Sequence, residues 1–201
     1  MVKVSKFLKN PFAKQKASNL TGENLLKLKA AELRNVSPSK ADLKKIKRRE
    51  IYFILDNILD TYNTGGIFRL GDALGVKKIY LCGVTETPPN TRIKKASINT
   101  TEWVKWKYFP TTAEAIKDLR AKVKNIQIVA IEQDKKSVPY TEIDYKLPIA
   151  FMVGNETDGS SKETLKACDK IAEIPMHGVN TSLNVIISLG IVSYYACGSL
   201  S

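Results

Sequence analysis

The chain has 201 residues, 43% of them apolar and 26% charged, with a formal net charge of +12. That composition excludes wholesale disorder, and at this length folding buries about 70% of the extended chain's surface, most simply as one domain plus an extension. Cys82, Cys168 and Cys197 form no CxxC pair and the only histidine is His177, so neither a disulfide framework nor a zinc site is suggested, and a reducing cytoplasm fits best.

Residues 1–50 hold 14 Lys/Arg against 4 Asp/Glu, ten of the twelve net charges. A charge so concentrated suits a surface meeting a polyanion or anionic lipid, the bland alternative being a solubilising tail. The opening "MVKVSKFLKNPFAK" lacks an apolar run of about 7 to 15 residues and does not read as a secretory signal. "TGENLLKLKAAELR" (21–34) predicts an amphipathic helix with Thr21 as a possible cap, and Ser39 followed by Asp42 resembles a capping box. Residues 1–50 thus read as a basic, partly helical extension.

From Ile51 strands and helices alternate. "IYFIL" predicts a strand, "TGGIFRLGDALG" a helix, "KKIYLCG" a strand; a Pro-rich loop and "WVKWKYF" lead to the helix "TAEAIKDLRAKV". "IQIVAIE" and "PIAFMVG" come next as strands, then a helix after Ser160, the strand "IAEIP" and a terminal helix. Strands apolar throughout, separated by helices, predict an α/β domain over 51–201 with a mainly parallel sheet covered on both faces. The charge-free stretch Val185–Cys197 is 13 residues, about 20 Å as helix against a hydrocarbon thickness of about 30 Å, so it predicts a core or interface helix.

Ligands of such sheets sit beyond the carboxyl ends of the strands, where three polar clusters fall. In "YNTGGIFR" two glycines could let backbone approach a ligand, and Arg69 could hold a phosphate diester or pair with Asp72. "VGNETDG" could be a site or a plain turn, and its two acids do not make a metal site. In "PMHGVNTSLN", Thr181 or Ser182 is expected to cap the terminal helix, leaving Leu183 and Asn184 in its first turn; something polar should then meet the Asn184 amide. His177 is more simply a solvated loop residue than a general base.

In this order, "NTGGIFRLGDALG", "FMVGNETDG" and "IPMHGVNTSLNV" resemble the signature motifs of the SpoU/TrmH branch of the SPOUT RNA methyltransferases, and the likeness spans about residues 51–197. The resemblance implies an α/β fold with a C-terminal trefoil knot, an S-adenosylmethionine pocket in the knotted loops, a homodimer, and tRNA or rRNA as substrate. It implies Arg69, Asn63, Glu156, Ser182 and Asn184 for catalysis. It places Gly154, Ile174 and Leu183 on the cofactor, with Met152 and Met176 as pocket neighbours. Ser160, where the branch has a bulky apolar residue, and "NVIISLG", where small residues are commoner, depart from its pattern. The function implied is methyl transfer to a ribose 2′-hydroxyl; the alternatives are a base-methylating SPOUT enzyme and a noncatalytic RNA-binding protein. Guanidinium is not readily deprotonated, so Arg69 is expected to bind a phosphate and orient the hydroxyl, with a phosphate oxygen, Glu156 or water taking the proton. Asn63, Ser182 and Asn184 are expected to fix Arg69 and the ribose.

Overall fold

A computed structural model describes residues 29–33 and 37–200. The expectation of a Thr21 cap and most of the 21–34 helix lie outside the described residues. What is described of the extension is a helical turn, α1 (Ala30–Leu33), and a short helix, α2 (Lys40–Lys45), capped by the Ser39 hydroxyl, which accepts from the Asp42 N–H at 3.2 Å. Both are tied to the main body. The Asn99 amide donates to the Leu33 carbonyl at 2.7 Å, the Ser37 hydroxyl to Glu102 at 2.7 Å, and Arg48 pairs with Asp72 at 3.4 Å.

The body runs β1 (Arg49–Asp56), α3 (Thr61–Ala73), β2 (Val76–Cys82), α4 (Thr91–Ser97), β3 (Trp106–Phe109), α5 (Thr112–Lys122) and β4 (Gln127–Ile131). It continues through β5 (Val138–Pro139), β6 (Ile149–Val153), α6 (Lys162–Lys166), β7 (Lys170–Glu173) and α7 (Val185–Ser199). The seven strands form one sheet in the order β3-β2-β1-β6-β4-β7-β5, and every pairing is parallel. This is the predicted sheet.

Alternation along the strands sorts their side chains between two cores. Phe53, Leu55, Phe151 and Val153 pack with Ile67 and Phe68 of α3, Ile93 of α4, and Leu189 and Val192 of α7. Tyr52, Ile54, Ala150 and Met152 pack with Ile116 and Leu119 of α5 and Leu165 of α6. Both faces are apolar because both are covered, so β1 and β6 show no polar alternation in sequence. Each Ile or Phe so buried is worth about 1.5 to 3 kcal/mol.

The helix α4, inside the stretch read as a Pro-rich loop, is one element the sequence does not signal. It has a good cap, Asn90 Oδ1 accepting the N–H groups of Arg92 (2.9 Å) and Ile93 (3.2 Å), but Ile93 is its only large apolar residue. What holds it is packing against α3, a contact distant in sequence. Gly65 and Gly66 serve helix packing, Gly65 against α4 and Gly66 against α7. They lie within α3, whose cap is Asp60, and a Cβ on Gly65 would stand 2.6 Å from both the Ala96 Cβ and the Ile93 carbonyl oxygen of α4. A Cβ on Gly66 would strike the Ile186 side chain of α7.

Candidate functional site

The carboxyl ends of β1, β6, β4 and β7 lie side by side and open into one cavity of about 710 Å³. Each contributes the loop that comes after it. After β1, Asn57 takes a left-handed turn (φ 59°), its side chain accepts the Val84 N–H at 3.2 Å, and its carbonyl accepts the Asn155 amide at 3.0 Å. After β6, the Asn155 side-chain oxygen accepts the N–H groups of Thr157 (2.8 Å) and Asp158 (3.1 Å), and Gly159 at φ 66° closes the turn. The turn reading of "VGNETDG" therefore holds, and the turn also presents Glu156 to the cavity.

Glu156 is saturated with donors. One carboxylate oxygen accepts the Leu59 N–H at 2.9 Å; the other accepts the Asp60 N–H at 3.2 Å and the Asn63 amide at 2.9 Å. Partial burial pushes its pKa up, but the Asn63 amide and the N–H groups of Leu59, Glu156 and Asp60 outweigh that and hold it below the ordinary carboxylate value. Asn63, itself buried, turns its own oxygen to the Asn184 amide at 3.0 Å, and Asn184 accepts the Ile186 N–H at 2.9 Å. Since the chain of bonds ends on a fixed acceptor, the Glu156 carboxylate, and on a fixed donor, the Ile186 N–H, the orientations of both amides are set. Three segments distant in sequence are thus joined: the β6 turn, the first turn of α3 and the start of α7.

That chain corrects the expected cap. Asn184, extended at φ −56° and ψ 139°, is the cap of α7; Thr181 and Ser182 lie in the preceding loop. Asparagine caps as well as serine, and here its second group also finds a partner, Asn63, which a serine could not reach with the same atom set. The Gln133 amide donates to the Thr181 carbonyl at 2.5 Å and ties this loop to the end of β4.

Of the residues singled out from sequence, Asn63, Gly154, Glu156, Ile174, Met176, Ser182, Leu183 and Asn184 all line the cavity. Two do not. Met152 belongs to the α5–α6 core, fully buried with its sulfur 3.9 Å from Cys168 Sγ, because it alternates with Val153, the β6 residue that does reach the cavity. Arg69 is exposed on α3, six residues and about 9 Å of helix beyond Asn63, outside the cavity lining. Asn63 bonds to Glu156 and Asn184, and Asn184 to Asn63 and Ile186, so within the chain they do not fix Arg69. Nor does Asp72 pair with it: that carboxylate takes Arg48 at 3.4 Å and the Trp103 indole at 2.8 Å. His177 is exposed and off the cavity lining.

Sequence reasoning missed Asp60, Glu132 and Glu173, which also line the cavity. Glu132 accepts the Ser160 N–H at 3.1 Å and Glu173 bonds the Ser137 hydroxyl at 2.5 Å. Their signal was position, since each stands near the end of a strand. Among the described residues no group of three or more His, Cys, Asp or Glu could hold a metal ion, and no helix is long and apolar enough to cross a membrane.

Comparison with known proteins adds three findings. Residues 50–194 match the model of the SpoU rRNA Methylase family. A tRNA (guanosine(18)-2′-O)-methyltransferase of Aquifex aeolicus is 34% identical over 154 residues, 75% of this chain and 70% of that protein, and its Escherichia coli counterpart is 27% identical over 153 residues, 75% and 64%. Among solved structures, an AdoMet-bound rRNA methyltransferase from Sinorhizobium meliloti superimposes with a TM-score of 0.70 at 29% identity, covering 84% of this chain and 60% of that one. The A. aeolicus TrmH/SpoU tRNA modifying enzyme gives 0.67 at 28%, covering 83% and 80%. The chain therefore spans less than two thirds of the E. coli and S. meliloti proteins it matches.

Proposed function

This chain belongs to the SpoU rRNA Methylase family, and we propose that it transfers the methyl group of S-adenosylmethionine to a ribose 2′-hydroxyl of structured tRNA or rRNA. The observation that carries this reading is the cavity built from the three motif loops, joined by the Glu156–Asn63–Asn184 chain of hydrogen bonds. Its volume lies within the range of about 300 to 1,000 Å³ usual for cofactor sites. Among the described residues its lining carries Asp60, Glu132, Glu156 and Glu173 and no Lys, Arg or His. That charge suits a cofactor bearing a sulfonium and an ammonium. Gly154, Ile174 and Leu183 would hold it, with Met176 beside them.

When bound, the cofactor supplies an already electrophilic methyl group, so the protein's part is to position the ribose and manage its proton. Glu156 is occupied by three donors from other residues and acidified by its hydrogen bonds, which makes it a poor base; it serves to hold Asn63 and the end of β1. Asn63, Ser182 and Asn184 present polar groups to the ribose side of the cavity. Arg69 brings a permanently charged fork for a neighbouring phosphate, and a phosphate oxygen or water takes the proton.

The experiment incubates the full-length protein with methyl-labelled S-adenosylmethionine and total RNA, with nuclease digestion and nucleoside analysis afterwards. Label on a 2′-O-methyl nucleoside is expected; label on a base would move the reading to the base-methylating alternative, and no label with no cofactor binding would leave an RNA-binding protein. Arg69→Ala should lose at least about a hundredfold in transfer while still binding cofactor, as for loss of a positioning contact. Retained activity would remove Arg69 from the mechanism.

The protein is a homodimer in this reading. α7 is apolar on every side: Val185, Leu189, Val192 and Ala196 face the core, while Ile187 and Ile191 are 52% and 36% exposed. A helix apolar all round needs cover on both sides, and Arg69 lies on α3, the helix that packs on α7. Sedimentation at micromolar concentration reads this directly, and a monomer throughout would sink it. The C-terminal trefoil knot is inferred from family membership, and the basic residues 1–50 act as an RNA-facing extension. A cytoplasmic location fits three free cysteines, of which burial pushes the Cys82 and Cys168 thiols up to about 12; cell fractionation tests it.

A further inference from the structure

On the other side of β7 from the cofactor cavity lies a second cavity, of about 460 Å³. Four lysines converge on it from three segments: Lys136 from the β4–β5 loop, Lys162 and Lys166 one turn apart on α6, and Lys170 at the start of β7. Its floor is apolar, with Val138, Leu165 and Ile171.

What sets these lysines apart is that four of them, none paired with a carboxylate among the described residues, share one concave surface. Lys45, Lys77, Lys94, Lys107, Lys122 and Lys146 each pair with a carboxylate, whereas among the described residues none of the four does. Two acids line the same cavity and offset only part of that charge: Asp169 is shared with Arg120, and Asp134 leaves the lining net positive. Asp169 is taken by Arg120 at 3.0 Å and by the Ile128 N–H at 2.7 Å, and Asp134 accepts the Lys136 backbone N–H at 2.9 Å. Glu163 of α6 is off the lining. Four like charges on one concave surface repel one another, and a polyanion seated there relieves that repulsion.

The two cavities are neighbours along one strand. Gln133 lines the first and Asp134 the second; Glu173 lines the first and Lys170, three residues back along β7, the second. Three strand steps are about 10 Å, a distance that a continuous nucleic-acid backbone spans within a few nucleotides. We propose that the lysine-lined cavity between α6 and β7 binds the phosphodiester backbone of the substrate RNA, next to the ribose being methylated. This rests on the methyltransferase reading for the identity of the polyanion. It adds a contact surface within the main body, separate from the basic extension.

The test titrates full-length wild type and two triple variants at Lys162, Lys166 and Lys170, one to Gln and one to Glu, with labelled bulk tRNA and rRNA across a salt series. Cofactor binding is measured in parallel by calorimetry. The Gln variant should lower the slope of log affinity against log salt by about 2 to 3 and weaken binding at least tenfold near about 0.1 M salt, since each lysine lost removes about one phosphate contact. The Glu variant should weaken binding further. S-adenosylmethionine affinity should stay unchanged in both, which also shows that both are folded. An unchanged salt slope overturns the proposal. So does millimolar ATP or pyrophosphate binding wild type but not the variants while the RNA slope stays put, which would make this a site for a free phosphate ligand. Wild type that binds RNA but transfers no methyl would sink the methyltransferase reading and leave the slope comparison valid; wild type that binds no RNA sinks both.

Discussion

The two cavities flanking β7 are opposites. Among the described residues one shows four carboxylates and no basic side chain, the other four lysines against two aspartates. Yet residues 51–201 as a whole carry 18 Lys/Arg against 16 Asp/Glu, a nearly neutral count. A balanced sum can therefore hide charges sorted by partner, a cationic cofactor on one side and a polyanion on the other. The sorting has a simple structural source: in a parallel sheet the chain enters every strand at one edge and leaves at the other, so Lys170 and Glu173, at the two ends of β7, can differ in sign and serve different ligands. If that division is real, damage to one cavity should leave the other's ligand untouched.

The largest separation is expected from Gly154→Ala. A Cβ there would stand 2.5 Å from Ser160 Oγ, 2.6 Å from Ser160 N and 2.7 Å from the Gly159 carbonyl carbon. Two of the three are backbone atoms, so the turn from Asn155 to Ser160 must shift, carrying Glu156 away from Asn63. Overpacking of this kind costs about 1 to 3 kcal/mol, and displacement of the site's positioning groups should lower S-adenosylmethionine affinity on the order of a hundredfold. RNA affinity and its salt slope should remain those of wild type, because the lysines are not involved. Calorimetry with the cofactor and anisotropy with tRNA decide it; equal losses in both would erase the distinction between the cavities.

How much of this division is legible in sequence depends on the range of the physics. β1, β6 and the other apolar strands announce themselves, and the strand-end rule locates three of the loops that build the cofactor cavity. The acid of the fourth, Glu132 beside Gln133 after β4, obeys the same rule but escapes notice because no cluster of polar residues marks it. Met152 is misplaced by proximity: one residue from the cavity in sequence is the opposite face in a strand. Gly65 and Gly66 look like a ligand approach because their neighbours α4 and α7 are close only in space. Asn184 reads as helix interior because Thr181 and Ser182 are equally good caps, and only the partnership with Asn63, 121 residues away, selects among them. The lysine cavity leaves no trace at all, since Lys136, Lys162, Lys166 and Lys170 meet only in the folded chain.

A smaller effect, confined to the acidic side, is expected from Glu156→Gln. Both carboxylate oxygens accept from donors: Leu59 N–H on one, Asp60 N–H and the Asn63 amide on the other. A glutamine must turn its NH2 toward one of these donors, so one side of the network is lost and donor faces donor. Bonds to a charged acceptor are worth about 1.5 to 3 kcal/mol, but Glu156 is an exposed side chain, and screening by water brings the expected loss to about 1 kcal/mol, or about 2 to 4 °C in Tm for a domain of this size. The pH dependence distinguishes this from a general packing defect. Burial raises the Glu156 pKa, but its hydrogen bonds depress it below the reference value of 4.5. A depressed carboxylate contributes stability that is fully present above its unfolded pKa and disappears as pH falls through its folded one. Wild type should therefore exceed the variant at neutral pH, and the two denaturant midpoints should draw together as pH drops below about 4.5, where the wild-type carboxylate takes up a proton it must share with the same donors. A gap that holds constant or widens in acid would mean that Glu156 is held by packing rather than by its charge, and the chain from Glu156 through Asn63 to Asn184 would lose its electrostatic anchor.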